Sequence, residues 1–235
     1  MDTDPYADLD FRTVPSARVD ERDRRAMHEL FDACYLEANH TYLDKSFETL
    51  AQTALALAGD RLIAFALAEH RVFDLPRLPG THVNLAGIAC VDNAYRRRHL
   101  FVMLERKASL ACAIDFRDAP RVLGCGRMAH PASFRGMTRN PSVVPKPGIE
   151  PTPWQQEVGA AIARAYNARD FNPKTFAVRG SGTPIGYPVV DMGDVASGEW
   201  QVFADVNRDR GDSLLGIAWT PDAPEGWGAE EGSRK

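Results

Sequence analysis

The sequence lacks most of the signatures that would name a chemistry at sight. Its four cysteines, Cys34, Cys90, Cys112 and Cys125, form no CxxC pair, which excludes a zinc-ribbon or thioredoxin motif. There is no HExxH, no EF-hand loop and no clustered His/Cys set, so no metal site is expected. No glycine-rich fingerprint for ATP or a dinucleotide occurs: GSGTPIG at 180–186 has the wrong spacing and reads as a turn or substrate loop. A serine-hydrolase elbow is absent too. No apolar run is long enough to cross a bilayer, and the opening MDTDPYADLD has neither a cationic start nor an apolar stretch to serve as a secretory signal. A net charge of -4 argues against wholesale nucleic-acid binding. These absences lead to the expectation of a cytoplasmic protein whose cysteines are thiols, a disulfide between two of them being the alternative, with no membrane or nucleic-acid partner.

What is present is enough apolar sequence for a large core: 44% of 235 residues. One α/β domain over 1–222 is the simplest organisation, two small domains being the alternative, and the Gly-, Pro- and charge-rich tail 223–235 is expected to fray. A first strand falls at 8–14. Asp20 is placed to cap a helix over 21–38, where Met27, Leu30, Phe31, Cys34 and Tyr35 recur at helical spacing. Phe47, Leu50, Ala54, Leu57 and Ala58 predict a second helix over 44–58, ending at Gly59. RLIAFALAEHRVF and THVNLAGIACVD read as strands, the second buried on both faces. A helix over 95–113 and a strand over 121–128 follow. The proline-rich stretch 129–153 is expected to be a long loop, either lining a substrate tunnel with Phe134, Met137, Val143, Val144 and Ile149 or covering a sheet edge. In the tunnel reading Arg135, Arg139 and Lys146 would hold a carboxylate or phosphate. Thr152 and Pro153 open a helix through about 168, and strands are predicted at 175–179, 200–205 and 213–219.

The informative junction is VNLAGIACVDNAYRRRHLFVMLERKASL at 83–110: a core strand, a short turn, then an amphipathic helix. Unpaired amides at a helix start attract anions, and Arg96, Arg97 and Arg98 add positive charge there. Together they can hold phosphates, as a coenzyme A pyrophosphate or a carrier-protein phosphopantetheine would require. The plain alternative is a solvated helix start, although cations there oppose the helix dipole.

This junction resembles the Gcn5-related N-acetyltransferase superfamily, in which a central strand leads into a pyrophosphate-binding turn of the form Arg/Gln-x-x-Gly-x-Gly/Ala. The matching residues are Arg96-Arg97-Arg98-His99-Leu100-Phe101, approached through Val91, Asp92 and Tyr95. His99 and Phe101 stand where the family has small residues. The resemblance implies a mixed, mostly antiparallel central sheet flanked by helices, here with a long proline-rich insertion. It also implies that Ala89, Val91, Arg96, Arg97, Arg98, His99, Leu100 and Phe101 contact an acyl-CoA or acyl carrier protein thioester.

The implied reaction is acyl transfer to an amine of a small molecule or amino-acid-like substrate. It needs a base for the amine and an acid for the departing thiolate. Glu69, beside His70 at a strand end, His82 near Asn84 on the central strand, and His130 at the head of the long loop are the candidate bases. Tyr166 is the candidate acid. Each also has an ordinary reading, as a surface, loop or core residue. The alternative is a noncatalytic acyltransferase-like module that binds a ligand or partner and has lost coenzyme A binding, which His99 and Phe101 favour. A homodimer is compatible with the composition.

Overall fold

The computed structural model describes residues 6–189 and 195–228. The extreme N-terminus, and the tail beyond 228, lie outside the described residues. In chain order the elements are β1 (Asp10–Pro15), α1 (Glu21–Cys34), β2 (Tyr35–Leu36), α2 (His40–Thr49), β3 (Gln52–Ala58), β4 (Arg61–Leu75), β5 (Leu78–Val91), α3 (Leu100–Leu110), β6 (Val122–Met128), α4 (Pro131–Thr138), α5 (Pro153–Ala165), β7 (Ala177–Val178), β8 (Tyr187–Pro188) and β9 (Ser213–Thr220). Seven strands form one mixed, mostly antiparallel sheet in the order β1-β3-β4-β5-β6-β9-β7. The pairs β1–β3, β3–β4, β6–β9 and β7–β9 are antiparallel. Strands with an intervening helix on each side of the sheet are what the resemblance implies. Among the described residues no helix is long and apolar enough to cross a membrane.

Packing divides the described chain into two compact units. The first holds 6–70, 86–115 and 185–189; the second holds 71–85, 116–184 and 195–228. The strands β4 and β5 run through both.

In the first unit, strand alternation separates two apolar layers. Leu55, Phe65, Leu67, Ile88 and Cys90 face Met27, Phe31 and Cys34 of α1 and Leu43 and Phe47 of α2. Ala54, Ala56, Ile63 and Ala66 face Leu100, Leu104 and Ala108 of α3. Helix α1 begins where the sequence places it, with the Asp20 carboxylate accepting from the Asp23 amide at 2.8 Å. Asp20→Ala should cost about 1 kcal/mol, the usual value of an N-cap, read as a shift of the denaturation midpoint at constant slope.

The predicted helix 44–58 is the main correction. Helix α2 stops at Thr49, and 52–58 is the strand β3. Short Ala/Leu runs satisfy both periods, so periodicity alone does not decide between helix and buried strand. Pairing decides it here: β1 and β4 flank β3 with continuous ladders on both edges. Leu50, expected on a helix face, packs over Gly87 of β5. A Cβ on Gly87 would meet the Leu50 side chain and lie 3.0 Å from the Leu67 carbonyl, so a larger residue there requires Leu50 to move.

In the second unit the core gathers Val83, Leu85, Leu123, Cys125 and Ile217 from strands, and Val158 and Ile162 from α5. Helix α5 starts with the capping box that Thr152 and Pro153 signal, Thr152 and Gln155 bonding reciprocally. The proline-rich stretch is not a plain loop, since α4 occupies 131–138. Its apolar residues do not line an open tunnel. Phe134, Val143 and Val144 are buried in the core, while Ile149 points outward, 62% exposed. Val144 forms a β-bridge with Ile217, so this stretch covers an edge of β9. Of the three cations expected to hold an anion, two are engaged within the chain: Arg135 chelates Glu199 at 2.5 and 2.8 Å, and Lys146 donates to the Pro141 carbonyl. Residues 197–203 form a 3-10 helix rather than the predicted strand. The front of the expected frayed tail is docked: Trp227 is 4% exposed, donates its indole N–H to the Ser142 carbonyl at 2.9 Å and accepts from Gln155.

Candidate functional site

The candidate site is the strand–turn–helix junction 86–110 of the first unit. Along the end of β5, Ile88 and Cys90 face the α1–α2 layer, while Ala89 and Val91 pack against the α3 layer. Asp92 then turns the chain. Its carboxylate accepts from the Ala94 amide at 2.9 Å and from Arg61 Nη1 at 2.8 Å, so it caps the one-turn helix 93–95. The Tyr95 ring carries the guanidinium carbons of Arg61 and Arg98 at 5.7 and 5.6 Å.

The three arginines differ in their commitments. Arg96 donates from Nε to the Val91 carbonyl at 3.3 Å and from Nη1 to the Val189 carbonyl at 2.7 Å. Arg98 pairs with Asp8 at 2.9 Å and holds that carboxyl below its ordinary range. The Arg98 carbonyl accepts the Tyr6 hydroxyl at 2.5 Å. Arg97 is exposed, with φ of 66°.

His99 is the N-cap of α3 in the left-handed region, φ 57° and ψ 17°, with its side chain exposed and making no cap bond. Glycine adopts that conformation freely, whereas a residue with a Cβ does so at a cost of roughly 1 kcal/mol. The turn therefore keeps the backbone a glycine would take, and the imidazole is turned to solvent. The first bond of α3 that reaches back one turn runs from the Met103 amide to the His99 carbonyl. The amides of Leu100, Phe101 and Val102 have no carbonyl behind them inside the helix. Leu100 is buried and Phe101 half-buried.

Glu105, on α3, was not singled out by sequence because it falls off the apolar stripe. Its Oε1 is buried with no hydrogen-bond partner among the described residues. Burial pushes its carboxyl up to about 8, so it is mostly protonated at neutral pH.

The candidate catalytic residues are distributed. Glu69 lies half-buried on β4 in the first unit. His70 beside it is 2% exposed and donates its amide to Cys112 Sγ at 3.3 Å. Strand alternation thus turns Glu69 to the more open face. His82 and Asn84 are half-buried on β5, in the part that belongs to the second unit. His130 caps α4, its Nδ1 accepting from the Ala132 amide at 3.1 Å, with its ring edge-on to Trp200 at 5.2 Å. Burial, then the cations Arg208 and Arg135, hold its pKa down to about 4. Tyr166 ends α5 and donates its hydroxyl to the Cys125 carbonyl on β6 at 2.9 Å. His130 and Tyr166 share a unit but are engaged with different partners.

Sequence reasoning missed the segment 185–189, which joins the first unit from far along the chain. Tyr187 and Pro188 pair with Tyr35 and Leu36 as β8 on β2. Asn39 donates to the Ile185 carbonyl at 2.9 Å, and the Val189 amide donates to the Cys34 carbonyl at 2.8 Å. No local signal in GSGTPIG announces this, because the partners are main-chain groups. A cleft of 440 Å³ opens elsewhere in the first unit, beside Asp10, Arg12, Arg22, Asp23 and Asp60. It holds none of the candidate residues, and Arg12 and Asp23 pair with each other across 2.9 Å. Among the described residues no three His, Cys, Asp or Glu side chains converge to hold a metal ion.

No family model and no curated protein matches the sequence. Solved structures do. The Escherichia coli ElaA structure is 15% identical, covering 61% of this chain and 90% of its own, with a TM-score of 0.38. The Escherichia coli GNAT family N-acetyltransferase YhbS, in complex with CoA, is 15% identical over 59% and 72%, TM-score 0.39. A chain of the NatC complex bound to Gag peptide and CoA is 14% identical over 55% and 83%, TM-score 0.35.

Proposed function

We propose that the protein is an acyltransferase that moves an acyl group from a coenzyme A or carrier-protein thioester directly to an amine of a small molecule or amino-acid-like substrate. One observation carries this reading: His99 holds the left-handed turn that opens α3 and leaves the amides of 100–102 without intrahelical partners. That is the conformation the family's phosphate-binding glycine would take, and Arg97 and Arg98 add positive charge beside it. In this reading Ala89 and Val91 flank the pantetheine arm, and residues 96–101 meet the pyrophosphate.

In the transfer step the amine nitrogen, once neutral, attacks the thioester carbonyl. The C–N bond forms, the C–S bond breaks, and the thiolate takes a proton. Glu69, which lies in the same unit as the turn, would accept the amine proton. His130 is a weaker base in this reading, because its Nδ1 lone pair already accepts from α4.

A second reading is favoured by the commitments of Arg96 and Arg98. With Arg96 bonded to two carbonyls and Arg98 to Asp8, the turn resembles a structural clasp. The protein would then be a noncatalytic module that has lost its cofactor.

Calorimetry with acetyl-CoA, a long-chain acyl-CoA and free CoA separates the two. The enzyme reading expects thioester binding in the micromolar range, about -8 kcal/mol, and binding of free CoA through the shared pyrophosphate. Absence of binding by all three, with an acyl carrier protein also inert, sinks it in favour of the clasp.

A further inference from the structure

The end of α1 brings Cys34 to the end of β5. Cys34 and Cys90 belong to the same buried layer, 4% and 3% exposed. Cys34 Sγ lies 3.5 Å from the carbonyl of Val91, the residue after Cys90. The same carbonyl accepts from Arg96 Nε at 3.3 Å. Val189 closes the ring: its amide donates to the Cys34 carbonyl and its carbonyl accepts from Arg96 Nη1. A guanidinium is thereby fixed beside the Cys34 thiol by main-chain bonds on both sides, in the layer that also holds Cys90. Most buried cysteines are inert because burial disfavours the thiolate. Cys125 follows that rule, its thiol pushed up by burial. Cys34 does not, because of its neighbours.

We propose that Cys34 and Cys90 are a redox-active dithiol, closed to a disulfide by peroxides and reopened by small thiols, tying the end of α1 to the end of β5 beside the Arg96 turn. The chemistry balances. The Cys34 thiolate attacks one peroxide oxygen, the O–O bond breaks, and the leaving oxygen takes a proton to become water. Cys34 is then a sulfenic acid. The Cys90 sulfur attacks it, the S–S bond forms, and the Cys90 proton leaves with the displaced hydroxide as a second water. Two thiols lose two electrons and one peroxide gains them.

The charge environment favours Cys34 as the attacking group. A bond from the Cys90 thiol, opposed by burial and assisted by Arg96 and the Val91 main chain, brings the Cys34 thiol down to about 7. Cys90 itself is pushed up by burial and by Cys34, so it keeps its proton until it resolves the sulfenic acid. From β2 the neighbouring titratable group is Tyr35, which burial and the two thiols keep protonated.

Cys112 supplies the internal control. It is the more exposed thiol, and burial and Glu69 hold its pKa up. Oxidation governed by exposure alone would strike it first. The test uses the full-length protein with equimolar hydrogen peroxide, alkylation, and non-reducing peptide mapping. The expected result is loss of two hydrogens, one linked peptide pair carrying residues 34 and 90, and Cys112 still alkylated; dithiothreitol reverses it. Cys90→Ala should leave a sulfenic acid on Cys34 that dimedone traps, and Cys34→Ala should abolish the loss of two hydrogens, each variant being checked by thermal melting. The proposal is overturned if Cys112 oxidises while residues 34 and 90 stay as thiols, or if Cys34→Ala still loses two hydrogens. Mapping of the unmodified chain decides the matter even where a variant does not fold, and neither readout depends on acyl transfer.

Discussion

Arg96→Ala is expected to weaken thioester binding at least tenfold and to lower stability by ~2 kcal/mol, because one side chain serves two ends. Its guanidinium satisfies the carbonyls of Val91 and Val189 in a half-buried setting. Hydrogen bonds from a charged donor are worth about 1.5–3 kcal/mol each when buried, and less where solvent can replace them. With the alanine, the segment 185–189 keeps its β8–β2 pairing but loses its tie to the turn. The loss of affinity follows from the turn relaxing and from the lost positive charge. Calorimetry and denaturant unfolding on the same preparation separate the two effects. Reduced stability with unchanged thioester affinity would make Arg96 a clasp alone and favour the noncatalytic reading. Arg96→Lys is informative beside it. An ammonium keeps the charge but cannot span two carbonyls as a planar fork does, so it should restore more of the affinity than of the stability.

Acidification is expected to destabilise the protein by roughly 3 kcal/mol through His130 alone, since each tenfold loss of proton affinity on folding is worth about 1.4 kcal/mol. The ring is 1% exposed, and burial together with Arg208 and Arg135 lowers its pKa from 6.5 to about 4. Above pH 6.5 the imidazole is neutral folded and unfolded, and the group contributes no pH dependence. Between 6.5 and 4 the unfolded chain takes up a proton that the fold refuses, so stability falls as pH falls. Below 4 both states are protonated and the loss levels off. Asparagine offers an oxygen to the Ala132 amide in place of Nδ1. His130→Asn should therefore keep the α4 cap and flatten the profile. Urea denaturation of both proteins at pH 7.5, 5.5 and 4.5 checks this: parallel profiles would show that His130 does not carry the acid sensitivity. Glu199 acts lower on the scale, since its bonds from Arg135 and the Ala196 amide hold its carboxyl down to about 2.

Much of the fold is legible in sequence where a signal repeats locally. Asp20 before the 27-30-31-34 stripe marks α1, and Thr152-Pro153 marks the start of α5. The apolar run through Val91 marks the end of β5. Each rests on contacts within one or two turns or on a cap a few residues away. The 44–58 helix failed because Ala and Leu satisfy either period, and the two flanking strands that choose between them lie elsewhere in the chain. The strand expected at 200–205 failed for a similar reason: its apolar residues suit a strand, but Glu199 just before it reaches back to the Ala196 amide and sideways to Arg135, which favours a tight helical turn over 197–203.

The candidate site divides the same way. The strand, the Asp92 turn and the helix that follows are written in 83–110. That His99 holds a left-handed cap follows from the turn only once the strand end and α3 are both anchored to the sheet. The partners of the arginines are not written there at all. Arg98 meets Asp8, 90 residues earlier, and Arg96 meets Val189, 93 residues later.

By itself, then, the sequence determined the helices with caps and stripes, the central strands, and a basic turn opening a helix, because those depend on neighbours a few residues apart. Only the tertiary structure decided that 52–58 is a strand, that the basic turn is clasped by 185–189, and that two cysteines 56 positions apart by their numbers share one buried layer with an arginine beside them. The strand and the clasp rest on main-chain carbonyls and amides that nearly every residue carries, and the cysteine layer on packing between elements far apart in the chain, so no local side-chain pattern could announce them.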